Sequence, residues 1–385
     1  MITSNTASAP VVAAFTSYLT CVLIILTQRW HGRISLDGDM KSVQKFHTIP
    51  VPRVGGLAVM LGMSLACLAI VHGASYQAVG VYEVMLLLLL AALPAFGAGL
   101  VEDATKNVSV RVRLGATLMS ALLGSWLIGA TLMRVDVHGV DTLLVLFPFI
   151  AIVFTAVAVA GVANSINLID GFHGLAASTV IIILLGLGYL ARGAGDQLVA
   201  QLAMTGAAAT FGFLLLNYPT GRIFLGDGGA YLAGFWVAEV AILLIVRNPS
   251  ISAWQALAVC AFPVIEALFS IYRRRVLRNV SPTLPDKLHM HQLIYRRFVW
   301  KLIPRDDKRP WLRNAMVACV LASWIGFFTI LAVRFGSTTS AALLIIALYV
   351  AVYLLVYARL VCGRWRFFRP RQVLARGRRR ERSFT

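Results

Sequence analysis

Eleven apolar runs, each about 17 residues or longer and nearly free of charge, divide this chain. They fall at 10–28, 54–72, 83–101, 114–133, 142–162, 175–191, 198–216, 229–246, 253–271, 314–333 and 339–360. Runs of that length are too long for buried strands and match a bilayer core when coiled as helices. In hydrocarbon every peptide N–H and C=O must find a partner within its own segment, which leaves the α-helix as the available form. The expected class is an all-α polytopic membrane protein with about eleven transmembrane helices. The composition agrees, since 59% of the 385 residues are hydrophobic and 13% are charged, outside the range of soluble domains. Pro94 and Pro148 lie inside runs and are expected as kinks, which membrane helices tolerate.

The placement of charge orients the chain. Taken alternately, the loops 29–53, 102–113, 163–174, 217–228 and 272–313 and the tail from Arg359 hold 31 of the 35 Lys and Arg residues. The other loops hold one each, Arg134, Arg192, Arg247 and Arg334. Lys and Arg gather on the cytoplasmic side, so the first set is expected in the cytoplasm, with the N-terminus outside and the C-terminus cytoplasmic. Met1–Gln28 carries no positive charge ahead of its apolar stretch, which reads as a retained first span and not as a signal peptide. Residues 1–360 are expected to form one integral membrane catalytic domain, with a long cytoplasmic loop at 272–313 and a basic tail at 361–385. The net charge of +19 would suit nucleic acid, but the basic residues sit beside span ends, where anionic lipid accounts for them. No nucleic-acid partner is expected. The five cysteines are scattered and none forms a C-x-x-C pair, so neither a disulfide framework nor a zinc site is supported.

Five polar islands lie in the cytoplasmic set. The first holds His47, Arg53 and the pair Gly55-Gly56; glycines let backbone approach a ligand or a neighbouring helix closely. The second is Glu102-Asp103 followed by Lys106, Arg111 and Arg113. Adjacent carboxylates at a helix end repel, and metal or phosphate chemistry is one reason to keep them; a solvated end paired to Lys106 or Arg111 is the plainer alternative. The third places Asn164, Asn167, Asp170 and His173 at spacings of three, so that one helical face would present all four to a single cavity. The fourth is Phe224-Leu225-Gly226-Asp227-Gly228-Gly229. A carboxylate at the start of a span can hold Mg2+ while nearby amides approach phosphate, and Phe224 is spaced to stack on a base or to face lipid. The fifth contains Asp286, His289 and His291 behind Arg273-Arg274-Arg275. With no third nitrogen or thiolate ligand nearby and basic surroundings, this H-x-H pair fits anion binding better than zinc. Acidic residues for Mg2+ beside basic and imidazole donors on one membrane face describe a site that handles a diphosphate.

In that order the islands resemble the polyprenyl-phosphate N-acetylhexosamine-1-phosphate transferases, over roughly residues 40–300. His47 to Gly56 looks like the family's H-x-x-x-x-P-x-x-GG segment, and Glu102-Asp103 with Arg111 and Arg113 like its acidic pair and basic followers. Asn164 to Gly174 resembles N-x-x-N-x-x-D-G-x-(D/N)-G-L-A, and Phe224 to Asp227 resembles F-x-G-D. His289-Met290-His291 resembles the family's His-rich loop, with Glu266 as the acidic residue of the preceding span. Glu102 stands where many members have Asp, His173 where many have Asp or Asn, and Gln292 where a further His is usual. The His173 departure suggests a subgroup whose donor differs from plain UDP-GlcNAc.

The resemblance implies transfer of a HexNAc-1-phosphate from a UDP-HexNAc to undecaprenyl phosphate, with release of UMP and with Mg2+ as cofactor (Mn2+ able to substitute). It would start a lipid-linked cell-surface polysaccharide of O-antigen type at the cytoplasmic face of a bacterial inner membrane, among membrane lipids, with a homodimer as a further expectation. It implies Asp227 as the leading metal ligand with Asn167 assisting. Phe224 would stack on uracil, and Asn164, Asp170 and His173 would line the nucleoside and sugar pocket. His47, Arg53 and Arg111 join the substrate contacts, while Arg113, His289 and His291 would neutralise the diphosphate. Glu102 and Asp103 are the catalytic acidic pair, with Asp103 positioning the lipid phosphate. A transporter of nucleotide or lipid-linked sugars is the rival reading; it would place ionisable groups at mid-membrane on broken helices, where Glu239 and Glu266 are the candidates.

Overall fold

The structure, a computed structural model, describes residues 4–37, 51–71, 76–280, 286–304, 306, 309 and 311–362. Its helices in chain order are α1 (Ser4–Ser35), α2 (Gly55–Val71), α3 (Tyr76–Thr105), α4 (Val110–Ile128), α5 (His138–Leu146), α6 (Pro148–Ile169), α7 (Leu175–Gly193) and α8 (Gln197–Asn217). There follow α9 (Gly226–Arg247), α10 (Ala253–Val259), α11 (Ala261–Tyr272), the short α12 (Met290–Ile294) and α13 (Trp300–Leu302), α14 (Leu312–Phe335) and α15 (Thr339–Val361). One two-residue pairing, β1 (Leu36–Asp37) with β2 (Val51–Pro52), is antiparallel. Each apolar run of the sequence falls mainly on one helix or, in two cases, on a pair of helices. Eight of the described helices are long and apolar enough to cross a membrane, or nine if the bent pair α10–α11 is one span. The chain is a multi-pass membrane protein. Helix α2 has only 17 residues, and α4 opens with Arg111 and Arg113 in its first turn.

Two runs expected as single helices are divided, and proline explains both. Pro148 does not kink a span; it occupies the first turn of α6, where its missing N–H costs nothing. The run 142–162 accordingly splits into α5 and α6 at Phe147. In the run 253–271 the chain bends by 82° between α10 and α11. Pro263 is the third residue of α11, and its ring cannot accommodate a helical carbonyl four residues back, at Val259, where α10 stops.

Helix α9 is the axis of the bundle, buried from Gly226 to Ile245 and packed by α2, α3, α4, α6, α7, α8 and α10. At one end of it meet the start of α2, the α3–α4 turn, the end of α6 and the loop 218–225. The opposite end is tied by its own polar groups. Arg247 Nε donates to Asp196 at 2.7 Å and Asn248 Nδ2 at 3.1 Å, while Arg134 reaches the Ile251 carbonyl at 2.8 Å. Asp136 accepts from Ser252 Oγ at 2.8 Å and from the Ala253 amide at 2.7 Å, fixing the start of α10. The two sets of loops separated by their Lys and Arg content thus lie at opposite ends of the described bundle.

Candidate active site

The fourth island is held in place by the first. Gly55 N donates to Phe224 O at 2.9 Å, Gly56 N to Leu225 O at 2.8 Å and Phe224 N to Pro52 O at 2.8 Å. The chain must then turn sharply into α9, and Gly226 takes a left-handed φ of 77°, which glycine adopts without steric cost. A side chain on Gly56 would lie 2.3 Å from Gly229 N, and one on Gly99 would lie 2.5 Å from Gly228 N. The glycines after Asp227 therefore serve close packing of α2 and α3 on α9.

Asp103 comes from the end of α3 and caps α9. Its Oδ1 accepts from the Asp227 amide at 2.8 Å and its Oδ2 from the Gly228 amide at 2.9 Å. These are first-turn amides with no partner inside the helix, and the positive end of the helix dipole favours a carboxylate there. The amides expected from sequence to approach phosphate are already occupied by Asp103, which is 1% exposed. Asp103 and Asp227, expected at separate tasks, are direct neighbours.

Around Asp227 the charges converge. Its Oδ1 accepts from Arg53 Nη2 at 2.8 Å and Asn167 Nδ2 at 3.1 Å, and its Oδ2 accepts from Arg113 Nη1. Arg53 Nε also lies 3.4 Å from Asp103 Oδ1. Asp170 ends α6 beside this cluster; burial pushes its carboxyl up to about 7, with Arg53 pulling the other way.

The four polar residues of the third island do not share one helical face. Helix α6 stops at Ile169, and Gly174 at φ 77° sets the start of α7. Asn164 and Asn167 remain on α6, where Asn164 Oδ1 accepts from Tyr231 Oη at 3.4 Å. His173 lies in the turn beyond, with Nδ1 3.1 Å from Pro219 O and its ring 5.8 Å from that of Phe224. The helix yields because Asp170-Gly171 and Gly174 favour a turn over another helical repeat. Glu102 closes the α3–α4 turn by accepting from the Val108 amide at 2.7 Å, and Arg111 is exposed. His47 lies outside the described residues.

The histidine pair reaches the third island. His289 and His291 are buried, with rings parallel to within 7° and 5.4 Å apart. His291 packs edge-on against Phe172 at 5.6 Å, and a side chain on Gly171 would meet its Nε2 at 3.4 Å. Burial, with His289 beside it, pushes the His291 imidazole down to about 3. Burial thus favours the neutral ring, able to donate or accept, over the charged one. Its Nδ1 has no hydrogen-bond partner among the described residues. Asp286 and Arg273 of the fifth island pair beneath the loop, a contact their spacing did not announce, and Tyr353, missed at the sequence level, donates to Glu266.

A family profile described as "Glycosyl transferase family 4" matches residues 84–245. The chain is 28% identical over 290 residues to a probable undecaprenyl-phosphate N-acetylglucosaminyl 1-phosphate transferase of Bacillus subtilis, covering 73% of this chain and 76% of the relative. Over these stretches the chain is similar to this family. An undecaprenyl-phosphate alpha-N-acetylglucosaminyl 1-phosphate transferase of Thermotoga maritima is 25% identical over 292 residues, 76% of this chain and 82% of that protein. A phospho-N-acetylmuramoyl-pentapeptide-transferase of Bacillus cytotoxicus is 31% identical over 228 residues, 55% of this chain and 66% of the relative. These relatives are phosphotransferases, and so is this chain. The profile's stretch contains Asp103, Arg113, Asn167, Asp170 and Asp227, whereas Arg53 and the histidine pair lie outside it.

Among the described residues no three His, Cys, Asp or Glu side chains converge as a ready-made metal cage. Mg2+ needs no such cage, because it binds through one or two carboxylates together with substrate phosphates. The carboxylate oxygens of Asp227 are hard donors of the kind such a cation takes; in this structure they accept from nitrogens of Arg53, Asn167 and Arg113.

Proposed function

We propose that this protein transfers a HexNAc-1-phosphate from a UDP-HexNAc to undecaprenyl phosphate at the cytoplasmic face of a bacterial inner membrane. The products are undecaprenyl-diphosphate-HexNAc and UMP, and the reaction starts a lipid-linked surface polysaccharide. One observation carries the reading: Asp227, Asn167, Arg53 and Arg113 meet at the start of α9, with Phe224 three residues away on the adjoining loop. All eleven apolar runs cross the membrane in this reading, and the loops that build the site face the cytoplasm.

An oxygen of the lipid phosphate attacks the phosphorus that carries the sugar, and the bond from that phosphorus to the bridging oxygen breaks, the oxygen leaving with UMP. Both reactants are anions, so electrostatic stabilisation is the largest catalytic need. When bound, Mg2+ supplies neutralising charge to the diphosphate, and Asp227 with Asn167 would hold it. Arg53 and Arg113, already on Asp227, contribute fixed positive charge to the same place. Asp103 holds that carboxylate and the start of α9 in register. A lipid phosphate has a second pKa near 6 and is mostly dianionic at pH 7, so positioning matters more than proton removal. Phe224 stacks on the uracil ring, with His173, Asp170 and Asn164 on the nucleoside and sugar side. His291 faces the same region as a neutral imidazole.

The rival transporter reading looked for ionisable groups on broken helices, and α10–α11 is broken. Its buried Glu266, however, is fully engaged by the His289 ring, the Met290 amide and Tyr353. A carboxylate saturated in this way anchors a loop and does not line a passage. Purified protein with Mg2+, undecaprenyl phosphate and a panel of UDP-HexNAc donors should release UMP with at least one donor. Release from none, with the lipid acceptor present, refutes the proposal.

A further inference from the structure

The histidine loop is tied to the last helix of the bundle. Glu266 of α11 is fully buried, and its carboxylate accepts from three donors. Tyr353 Oη of α15 donates to Oε2 at 2.8 Å, the Met290 amide to the same oxygen at 3.2 Å, and His289 Nδ1 lies 2.9 Å from Oε1. A carboxylate only accepts, so this contact puts the His289 proton on Nδ1. His289 Nε2 lies 3.7 Å from Asp286 Oδ2. The ring is thus oriented by Glu266 from α11 and Asp286 from the loop, with His291 stacked on its own helix. A second strap runs parallel: Arg273 donates to Tyr357 Oη at 2.8 Å and to Leu288 O at 2.7 Å, and pairs with Asp286.

We propose that Tyr353 is a positioning residue for the transferase reaction, acting through Glu266 to hold the orientation of His289 and, through the ring stack, of His291. The array runs from α15 to the turn at Gly171, which follows Asp170. Tyr353 lies far beyond the family profile's last matched residue, 245, so this helix supplies a part of the site that the profile does not contain. Buried carboxylates need all their donors, and loss of one leaves an acceptor unsatisfied in low dielectric. The shortfall is relieved by movement of the softer partner, the histidine loop, because α11 and α15 are packed helices. The role given to His289 rests on the function proposed above.

Tyr353→Phe removes one oxygen and keeps the ring. Tyr349→Phe is its control, on the same helix face one turn away, because the Tyr349 hydroxyl has no hydrogen-bond partner among the described residues. Full-length protein in detergent is treated with diethyl pyrocarbonate, and carbethoxylation of His289 is followed by mass spectrometry beside thermal unfolding. Tyr353→Phe should speed modification of His289 several-fold at nearly unchanged melting temperature, with Tyr349→Phe like wild type. In turnover, Tyr353→Phe should lower kcat/KM about tenfold, the loss of one hydrogen bond to a charged group. In a His289→Ala background it should lower kcat/KM no further, because the two residues act as one unit. Unchanged His289 reactivity, or losses that multiply independently in the double variant, overturns the proposal. So does loss of folding in Tyr353→Phe while Tyr349→Phe folds, which makes Tyr353 a structural residue. If the wild type turns over no UDP-sugar, the functional reading fails, and the modification rates still decide the positioning.

Discussion

Adding one methyl group at Gly99 should disable the site while leaving the fold standing. The Cβ of an alanine there would lie 2.5 Å from Gly228 N and 2.6 Å from the Asp227 carbonyl carbon, whereas ordinary contact begins at 3.4 Å. Both neighbours are backbone atoms of a buried helix, so α3 and α9 must part by about 1 Å, an overpacking cost of roughly 1–3 kcal/mol. Asp103 lies one turn beyond Gly99 on the same face of α3, and its bonds to the Asp227 and Gly228 amides are 2.8 and 2.9 Å long. Lengthened by about 1 Å, both leave hydrogen-bonding range. Each charge-assisted bond is worth roughly 1.5–3 kcal/mol, and a misplacement of about 1 Å at a reacting centre can cost about a hundredfold in rate. Gly99→Ala should therefore lower kcat/KM at least about a hundredfold. Gly97→Ala is the control: its Cβ would meet nothing within 4 Å, and it should behave as wild type. UMP release and thermal unfolding of both variants in the same detergent provide the comparison. Full activity in Gly99→Ala would show that the α3–α9 contact does not set the geometry of Asp227.

Asp227→Asn should lose nearly all turnover and most Mg2+-dependent UDP-sugar binding, with Mn2+ or high Mg2+ recovering only part; titration of binding in the purified variant checks this. Phe224→Ala should raise KM for the UDP-sugar about 5- to 150-fold, the worth of stacking one base on an aromatic ring, while Phe224→Trp retains most affinity. The His291 imidazole is pushed down to about 3, so between about pH 6.5 and 3 the unfolded chain binds a proton that the folded chain refuses. Stability should fall as pH drops below about 6.5, by about 1.4 kcal/mol per pH unit from this group. His291→Gln should flatten that slope in pH-dependent unfolding.

Helix placement was legible because hydrocarbon leaves a long apolar run one option, and each run falls mainly on one helix or a pair. The breaks were less legible: Pro148, expected as a kink, opens a helix instead, and the break before Pro263 was not expected. Asp227, Asn167, Arg53 and Arg113 were legible as types of residue in ordered islands, and the structure brings them together. The spacing of Asn164 to His173 misled, because a period of three is compatible with a turn once Gly171 and Gly174 follow. Asp103 as a cap on α9 was hidden, since no local pattern announces a capping carboxylate that comes from 124 residues away. Tyr349, Tyr353 and Tyr357 on α15 form a stripe of period four that could have signalled a polar seam in the last run. Its partner Glu266 lies on another helix, and only packing joins them.

The account's central claim is that the phosphate attached to the sugar moves with it to the lipid. UDP-HexNAc labelled with 32P in the sugar-linked phosphate, incubated with the protein, Mg2+ and undecaprenyl phosphate, tests this most directly. The account predicts that the label appears in the organic phase as undecaprenyl-diphosphate-HexNAc, with unlabelled UMP in the aqueous phase. Label remaining in UDP while sugar enters the lipid, or label carried across vesicles with the UDP-sugar intact, would contradict it.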